Sequence, residues 1–245
     1  MSEQILIIGA GSGIGYGLVQ HYLQQGKAVQ AISRNVCPDA LLQTKVNWLQ
    51  LDVAAADAAE DAAETAINKI VTQAVTAKPT TIFICHGWLH DNQHGPEKTL
   101  RQLTAAQMHK SFAVNVLQPA MYLKALFGYL TKQPQVRVLV LSAKVGSISD
   151  NQLGGWYSYR LSKAAVNMLV KTSSIELGRY NKTAVLVSLL RVPALIQLSR
   201  TAMLISLLRV LVMMRLSRTA VLISLLRLMP QRNGIHWQML FQGDR

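Results

Sequence analysis

Residues Ile5–Ile8 form a short, wholly apolar run that gives way at once to Gly9-Ala10-Gly11-Ser12-Gly13-Ile14-Gly15. No other stretch limits the fold of this chain so tightly. An unbroken apolar run of this length reads as a strand buried on both faces. Ile14, Leu18 and Tyr22 then follow at helical spacing, so the glycines lie between a strand and a helix. Glycine reaches positive φ and lets a ligand approach the backbone closely. The first amides of the helix have no partner within it, and the helix dipole favours negative charge there. A pyrophosphate suits that environment. Gly9, Ser12, Gly13, Ile14 and Gly15 are therefore candidate cofactor-binding positions, in the strand–glycine–helix context that a dinucleotide site requires.

Further short apolar runs follow at Ala28–Ile32, Val46–Leu51, Ile82–Cys85, Val136–Leu141 and Ala184–Leu189. Between them, residues 54–77, Thr104–Tyr129 and Tyr157–Tyr180 read as helices. Strands separated by helices predict an α/β fold: a Rossmann-type, doubly wound parallel sheet in three α/β/α layers. Ligands of such sheets bind outside the carboxyl ends of the strands.

The second strand ends Ile32-Ser33-Arg34-Asn35, with no acidic residue to take a ribose 2′-hydroxyl. Arg34 instead suits a bidentate pairing with a 2′-phosphate. This favours NADP over NAD. Asp52, with Val53 beside it at the end of the third strand, is placed to receive the adenine amino group or to cap a helix.

Tyr159-Arg-Leu-Ser-Lys163 places a phenol and an ammonium four residues apart, on one helical face. A free tyrosine, with a pKa of about 10, is a poor proton donor at neutral pH. A nearby cation is expected to lower that pKa and to suit the pair to proton exchange with a carbonyl or alcohol oxygen. Tyr157 lacks such a partner, since Leu161 stands four residues on. His86 reads as structural. His90, His94 and Asp91 lack the further ligands of a metal site, and no metal is expected.

Together these residues resemble the short-chain dehydrogenase/reductase family, from residue 4 to about residue 190. The resemblance rests on the Gly9…Gly13-x-Gly15 loop, Asp52, Gly87 after the fourth strand, Asn115, a serine after the fifth strand, and Tyr159 with Lys163. Ser142-Ala-Lys-Val-Gly-Ser-Ile-Ser-Asp-Asn and Gly154-Gly-Trp-Tyr-Ser-Tyr-Arg look most like its carbonyl-reductase-like group, which includes the C-factor and sniffer proteins. The resemblance implies hydride exchange between NADP(H) and a small carbonyl or alcohol. Tyr159 would be the general acid/base, and Lys163 would hold the nicotinamide ribose and tune Tyr159. Asn115 would anchor a proton-relay water, and a serine would polarise the substrate carbonyl. Ser142 is the first choice for that serine and Ser147 the reserve, because the family's usual Ser-Ser before x-x-Gly reads Ser142-Ala143 here. The family's Asn-Asn-Ala-Gly reads Ile84-Cys85-His86-Gly87. A homodimer or homotetramer is the usual state of the family.

The net charge of +13 does not indicate a nucleic-acid partner. Residues 1–176 hold 15 basic and 11 acidic side chains, whereas residues 177–245 hold 10 and 1, so the excess belongs to the last quarter. There an 11-residue unit beginning at Lys182 recurs at Arg200 and Arg218. The family's Pro-Gly turn and substrate lid are not recognisable in this segment. The expected organisation is a dinucleotide-binding and catalytic core over residues 1–190, with an atypical basic, apolar segment over 191–245. A catalytically impaired nucleotide-binding or signalling protein is the alternative that this segment raises. Two cysteines, no stretch of 18 uncharged apolar residues and no basic residue ahead of the first apolar run lead to an expectation of a cytoplasmic protein without a membrane span.

Overall fold

The computed structural model describes residues 3–39, 42, 44–53 and 60–189. Its strands are β1 (Gln4–Ile8), β2 (Ala28–Ser33), β3 (Asn47–Gln50), β4 (Thr81–Ile84), β5 (Arg137–Leu141) and β6 (Val185–Leu189). They form one sheet in the order β3-β2-β1-β4-β5-β6, and every neighbouring pair is parallel. The order reverses between β1 and β4. Their carboxyl ends diverge there into different connections and leave a crevice, the place where ligands of this topology bind.

Alternation along β1 shows why the strand is apolar throughout. Ile5 and Ile7 pack with Val29, Ala31 and Phe83 beneath Leu18, Val19 and Tyr22 of helix α1 (Gly13–Gln24). Leu6 and Ile8 point the other way, into a core shared with Ile82, Ile84, Val138 and Val140. Both faces of the sheet are covered, so neither alternating set can be polar. Each buried aliphatic side chain contributes on the order of 2 kcal/mol.

The second face is covered by helices that follow later in the chain. Helix α2 (Glu60–Val75) buries Ile67, Ile70, Val71 and Ala74, a stripe at 3.6-residue spacing. Helices α3 (Ala105–Phe112) and α4 (Gln118–Leu130) are separated by a π-helical turn over Ala113–Leu117. Sequence periodicity predicts one helix across this region. Pro119 explains the break: it has no N–H for the Asn115 carbonyl four residues back, so the α-helical bonding pattern cannot pass through. Helix α5 (Tyr157–Tyr180) matches its expected span. Its buried side changes character along its length, from Ser158, Ser162 and Lys163 at the start to Val166, Val170 and Leu177 further on. The polar end meets the carboxyl edge of the sheet.

The start of the expected helix at residues 54–59 lies outside the described residues. So do residues 190–245, with the second and third repeat copies and the expected lid segment. Among the described residues, no helix is long and apolar enough to cross a membrane.

Candidate active site

The glycine loop is built by close approach. Gly9 has φ +82°, and the amides of Gly9 and Ala10 both donate to the Ile32 carbonyl, at 2.9 and 3.0 Å. A Cβ on Gly15 would collide with the Gly9 carbonyl, so only glycine lets α1 start this close to β1. Gly13 has φ +52°, yet among the described residues nothing lies within 4 Å of where its Cβ would be. Space is therefore open above the start of α1. Ser12, the N-cap residue, makes no side-chain cap bond, and the first turn holds no acidic residue. First-turn amides beside open space are an environment that suits a pyrophosphate, and Gly9, Ser12, Gly13, Ile14 and Gly15 make up this turn.

The end of β2 borders this loop. A Cβ on Gly11 would run into Ser33 Oγ, which accepts from Asn35 N at 3.1 Å. Arg34 is next in the chain and exposed, and its backbone carbonyl accepts from Gln50 Nε2 at 3.1 Å. Asp52 is exposed just beyond β3, while Val53 packs against the core.

Lys163 is the structural centre of the other half. It is 1% exposed, and its Nζ donates to the Leu141 carbonyl at the end of β5, at 3.0 Å. The same Nζ lies 5.7 Å from the centre of the Tyr159 ring and 3.9 Å from where a Cβ on Gly87 would stand. The ends of β4 and β5 thus converge on the residue that α5 presents. Gly146 permits this: a Cβ there would be 2.7 Å from the Lys163 carbonyl carbon. Burial lowers the Lys163 pKa to about 8 and raises that of the Tyr159 phenol. The expectation that the ammonium lowers the phenol's pKa is therefore not met, because desolvation dominates.

Asn115, on the π turn, is completely buried. Its Oδ1 accepts from Trp88 N at 2.6 Å, and its Nδ2 donates to Trp88 O at 2.9 Å and Ser162 Oγ at 2.9 Å. Ser111 joins the network, donating to Ser158 O at 3.1 Å, and Ser162 Oγ donates to Tyr159 O at 2.9 Å. Asn115 therefore binds the loop after β4 to the first turns of α5. Sequence reasoning singled out Asn115 but missed Ser111, Ser158 and Ser162. An Asn-x-x-x-Pro spacing in a helix is the signal that would have located the turn.

The two candidate serines lie in different settings. Ser142 Oγ donates to Asn167 Oδ1 at 2.7 Å and lies 3.4 Å from the Lys163 carbonyl, so it faces inward against α5. Ser147 Oγ is 3.4 Å from Ser149 Oγ and accepts from Asp150 N at 3.3 Å, within its own loop. His86 stacks on Tyr122 at 5.1 Å, and burial lowers its pKa to about 4, with a smaller contribution from the Lys163 charge. Asp91 accepts from Lys110, the Gln93 and His94 amides and the His94 ring. These bonds, that from Lys110 foremost, hold its carboxyl well below the usual range.

A glycine cradle at the end of β1, and a tyrosine–lysine pair at the start of the helix before β6, are now on one edge of one parallel sheet. Residues 3–203 match the family model for short chain dehydrogenases. The chain belongs to the short-chain dehydrogenase family. Among curated members, the C-signal protein of Myxococcus xanthus is 38% identical over 72 residues, 29% of this chain and 43% of that protein. An uncharacterized oxidoreductase of Schizosaccharomyces pombe is 27% identical over 181 residues, 70% of this chain and 66% of that one. The chain thus spans less than two thirds of either relative. Solved short-chain dehydrogenases share its fold. The carbonyl reductase Sniffer of D. melanogaster superposes with a TM-score of 0.65 at 23% identity, covering 78% of this chain and 80% of that one. A short-chain dehydrogenase/reductase from Burkholderia multivorans with bound NADP gives 0.63 at 20%, covering 79% and 80%. At these identities the likeness is one of fold.

Proposed function

We propose that this oxidoreductase exchanges hydride between NADP(H) and a small carbonyl or alcohol. The observation that carries the reading is the placement of Lys163 against Tyr159, at the crevice that the glycine loop opens. NADPH supplies the hydride when bound. Gly9, Ser12, Gly13, Ile14 and Gly15 would hold its pyrophosphate, Arg34 its 2′-phosphate, and Asp52 and Val53 its adenine. Gly87, with Lys163, would face its nicotinamide half. An NADP-bound neighbour of the same fold and the lack of an acid in Ser33-Arg34-Asn35 at the end of β2 support the choice of phosphate form.

In the reduction direction, the Tyr159 hydroxyl gives its proton to the carbonyl oxygen, and in the reverse direction the phenolate takes it back. Lys163, held by the Leu141 carbonyl, keeps positive charge near that oxygen. Asn115 fixes the turn from which protons are replenished. Ser142 enters this reading as a brace between β5 and α5. To polarise a substrate carbonyl it must leave Asn167. The core would extend over residues 1–190, with 191–245 in place of the lid, and the enzyme would work in the cytoplasm as a homodimer or homotetramer.

The inward Ser142 favours a second reading, a nucleotide-binding protein with little turnover. Titration with NADPH, followed by its oxidation against a panel of aldehydes and ketones, decides between them. The enzyme reading requires saturable NADPH loss that depends on the carbonyl. Tight NADPH binding with no oxidation by any carbonyl would establish the second. No binding of NADPH or NADH would overturn both.

A further inference from the structure

Helix α5 begins without a cap of its own. Trp156, in the N-cap position, lies in the left-handed region at φ 54°, ψ 42°, and makes no side-chain cap bond. Gly154 and Gly155 precede it with φ of 65° and 64°, so three successive residues turn the wrong way for a helix. Left-handed backbone is unfavourable for a non-glycine residue, and something must hold it there.

What holds it comes from far away in the chain. Glu97, in the loop before α3, is 3% exposed. Its carbonyl accepts from Trp156 N at 2.5 Å, and Gly155 packs against the same carbonyl. Both carboxylate oxygens lie 3.4 Å from Ser158 N, and one accepts from Ser158 Oγ. One residue thus supplies the backbone acceptor for the turn and the side-chain acceptor for the Ser158 amide in the first helical turn. A buried carboxylate is costly without compensation, and the positive end of α5 compensates it. Tyr159 is the next residue after Ser158. Its ring packs edge-on to Trp156 at 6.3 Å, and Ser162 Oγ binds its carbonyl.

We propose that Glu97 is a positioning residue for Tyr159: it caps α5 from outside the helix and sets the angle at which the phenol meets Lys163. The consequence for the reaction rests on Tyr159 being the proton donor, as proposed above. The geometric claim is separable and is tested separately.

Three variants are compared with the parent chain: Glu97→Ala, Glu97→Gln, which retains an acceptor oxygen, and Tyr129→Phe. The last removes a bond to the Pro79 carbonyl on the other side of the fold and reports ordinary destabilisation. Hydrogen exchange is read at the amides of Ser158 to Ser162. The Tyr159 titration is read as the ultraviolet difference between each protein and its Tyr159→Phe counterpart. Turnover is read with NADPH and 4-nitrobenzaldehyde.

Glu97→Ala should speed exchange of the first turn at least tenfold. It should also drop the Tyr159 midpoint by about half a pH unit or more, because a loosened turn hydrates the phenol. Glu97→Gln should retain most of both properties, and Tyr129→Phe should change neither. The kcat of Glu97→Ala should fall about tenfold while NADPH binding holds. Equal exchange and equal midpoints in Glu97→Ala and Tyr129→Phe would overturn the proposal, as would Glu97→Gln behaving like Glu97→Ala. If Glu97→Ala does not fold, Ser158→Ala replaces it, with a smaller change of the same sign required. A parent chain that binds NADPH but reduces no carbonyl tells against the catalytic reading of Tyr159, while exchange and titration still decide the role of Glu97.

Discussion

The Lys163 ammonium stands 5.7 Å from the centre of the Tyr159 ring, with the lysine 1% exposed and the tyrosine half-buried. Burial drives their pKa values apart, Lys163 down to about 8 and Tyr159 up, so the lysine loses its proton first on titration with base. In free solution the two groups titrate within about half a unit of each other.

That separation predicts a pH dependence of stability. Lys163 has a depressed pKa in the folded state, so between about pH 8 and its ordinary value of 10.5 the unfolded chain binds more protons. Stability contributed through this group should therefore rise with pH across that window. Urea unfolding of the parent chain and of Lys163→Met from pH 7.5 to 10.5 checks it. The parent should gain on the variant as pH rises, and a parent that keeps level with the variant or loses ground to it would contradict the buried, partly neutral lysine.

Tyr159→Phe keeps the ring and removes the transferable proton. Reductase turnover should fall by at least about a hundredfold, with NADPH affinity unchanged within about twofold. Tyr157→Phe should leave turnover nearly intact. Steady-state kinetics paired with fluorescence titration of NADPH measures both quantities, and the opposite ranking would assign the proton to Tyr157.

Arg34→Ala should weaken NADPH binding by about 1.5–3 kcal/mol, the range of a hydrogen bond to a charged group, and barely alter NADH binding. Calorimetric titration with each nucleotide provides the comparison. Equal losses for both would make Arg34 a surface residue without a role in choosing the phosphate form.

Two glycines of one loop should fail in different ways. At Gly15 an added methyl meets the Gly9 carbonyl, so Gly15→Ala should cost about 1–3 kcal/mol of stability. At Gly13 the methyl meets nothing among the described residues, and the positive φ alone costs about 1 kcal/mol. Gly13→Ala should instead lose NADPH, because the methyl enters the space a pyrophosphate needs. Urea unfolding and NADPH titration of both variants test the contrast, and a Gly13→Ala protein with normal affinity would place the phosphates elsewhere.

The sheet and the long helices were legible in the chain because their signals are local. Ile5–Ile8 is apolar at every position since both faces of β1 are covered, and α5 shows its full span in its own sequence. The glycine loop and the Tyr159–Lys163 pair were legible for the same reason: a turn with positive φ and a spacing of four residues are properties of short segments. Contacts between distant segments decided the rest. Ser142 reads as a hydroxyl available to substrate until Asn167, on another element, takes its bond. The fall of Lys163 to about 8 and the rise of Tyr159 follow from desolvation, which no spacing reveals. Glu97 looks like an ordinary surface acid in a polar loop. Only the packed fold carries it to the uncapped start of α5, because hydrogen bonds depend on distance in space, and residues 97 and 158 become neighbours only after the sheet has formed.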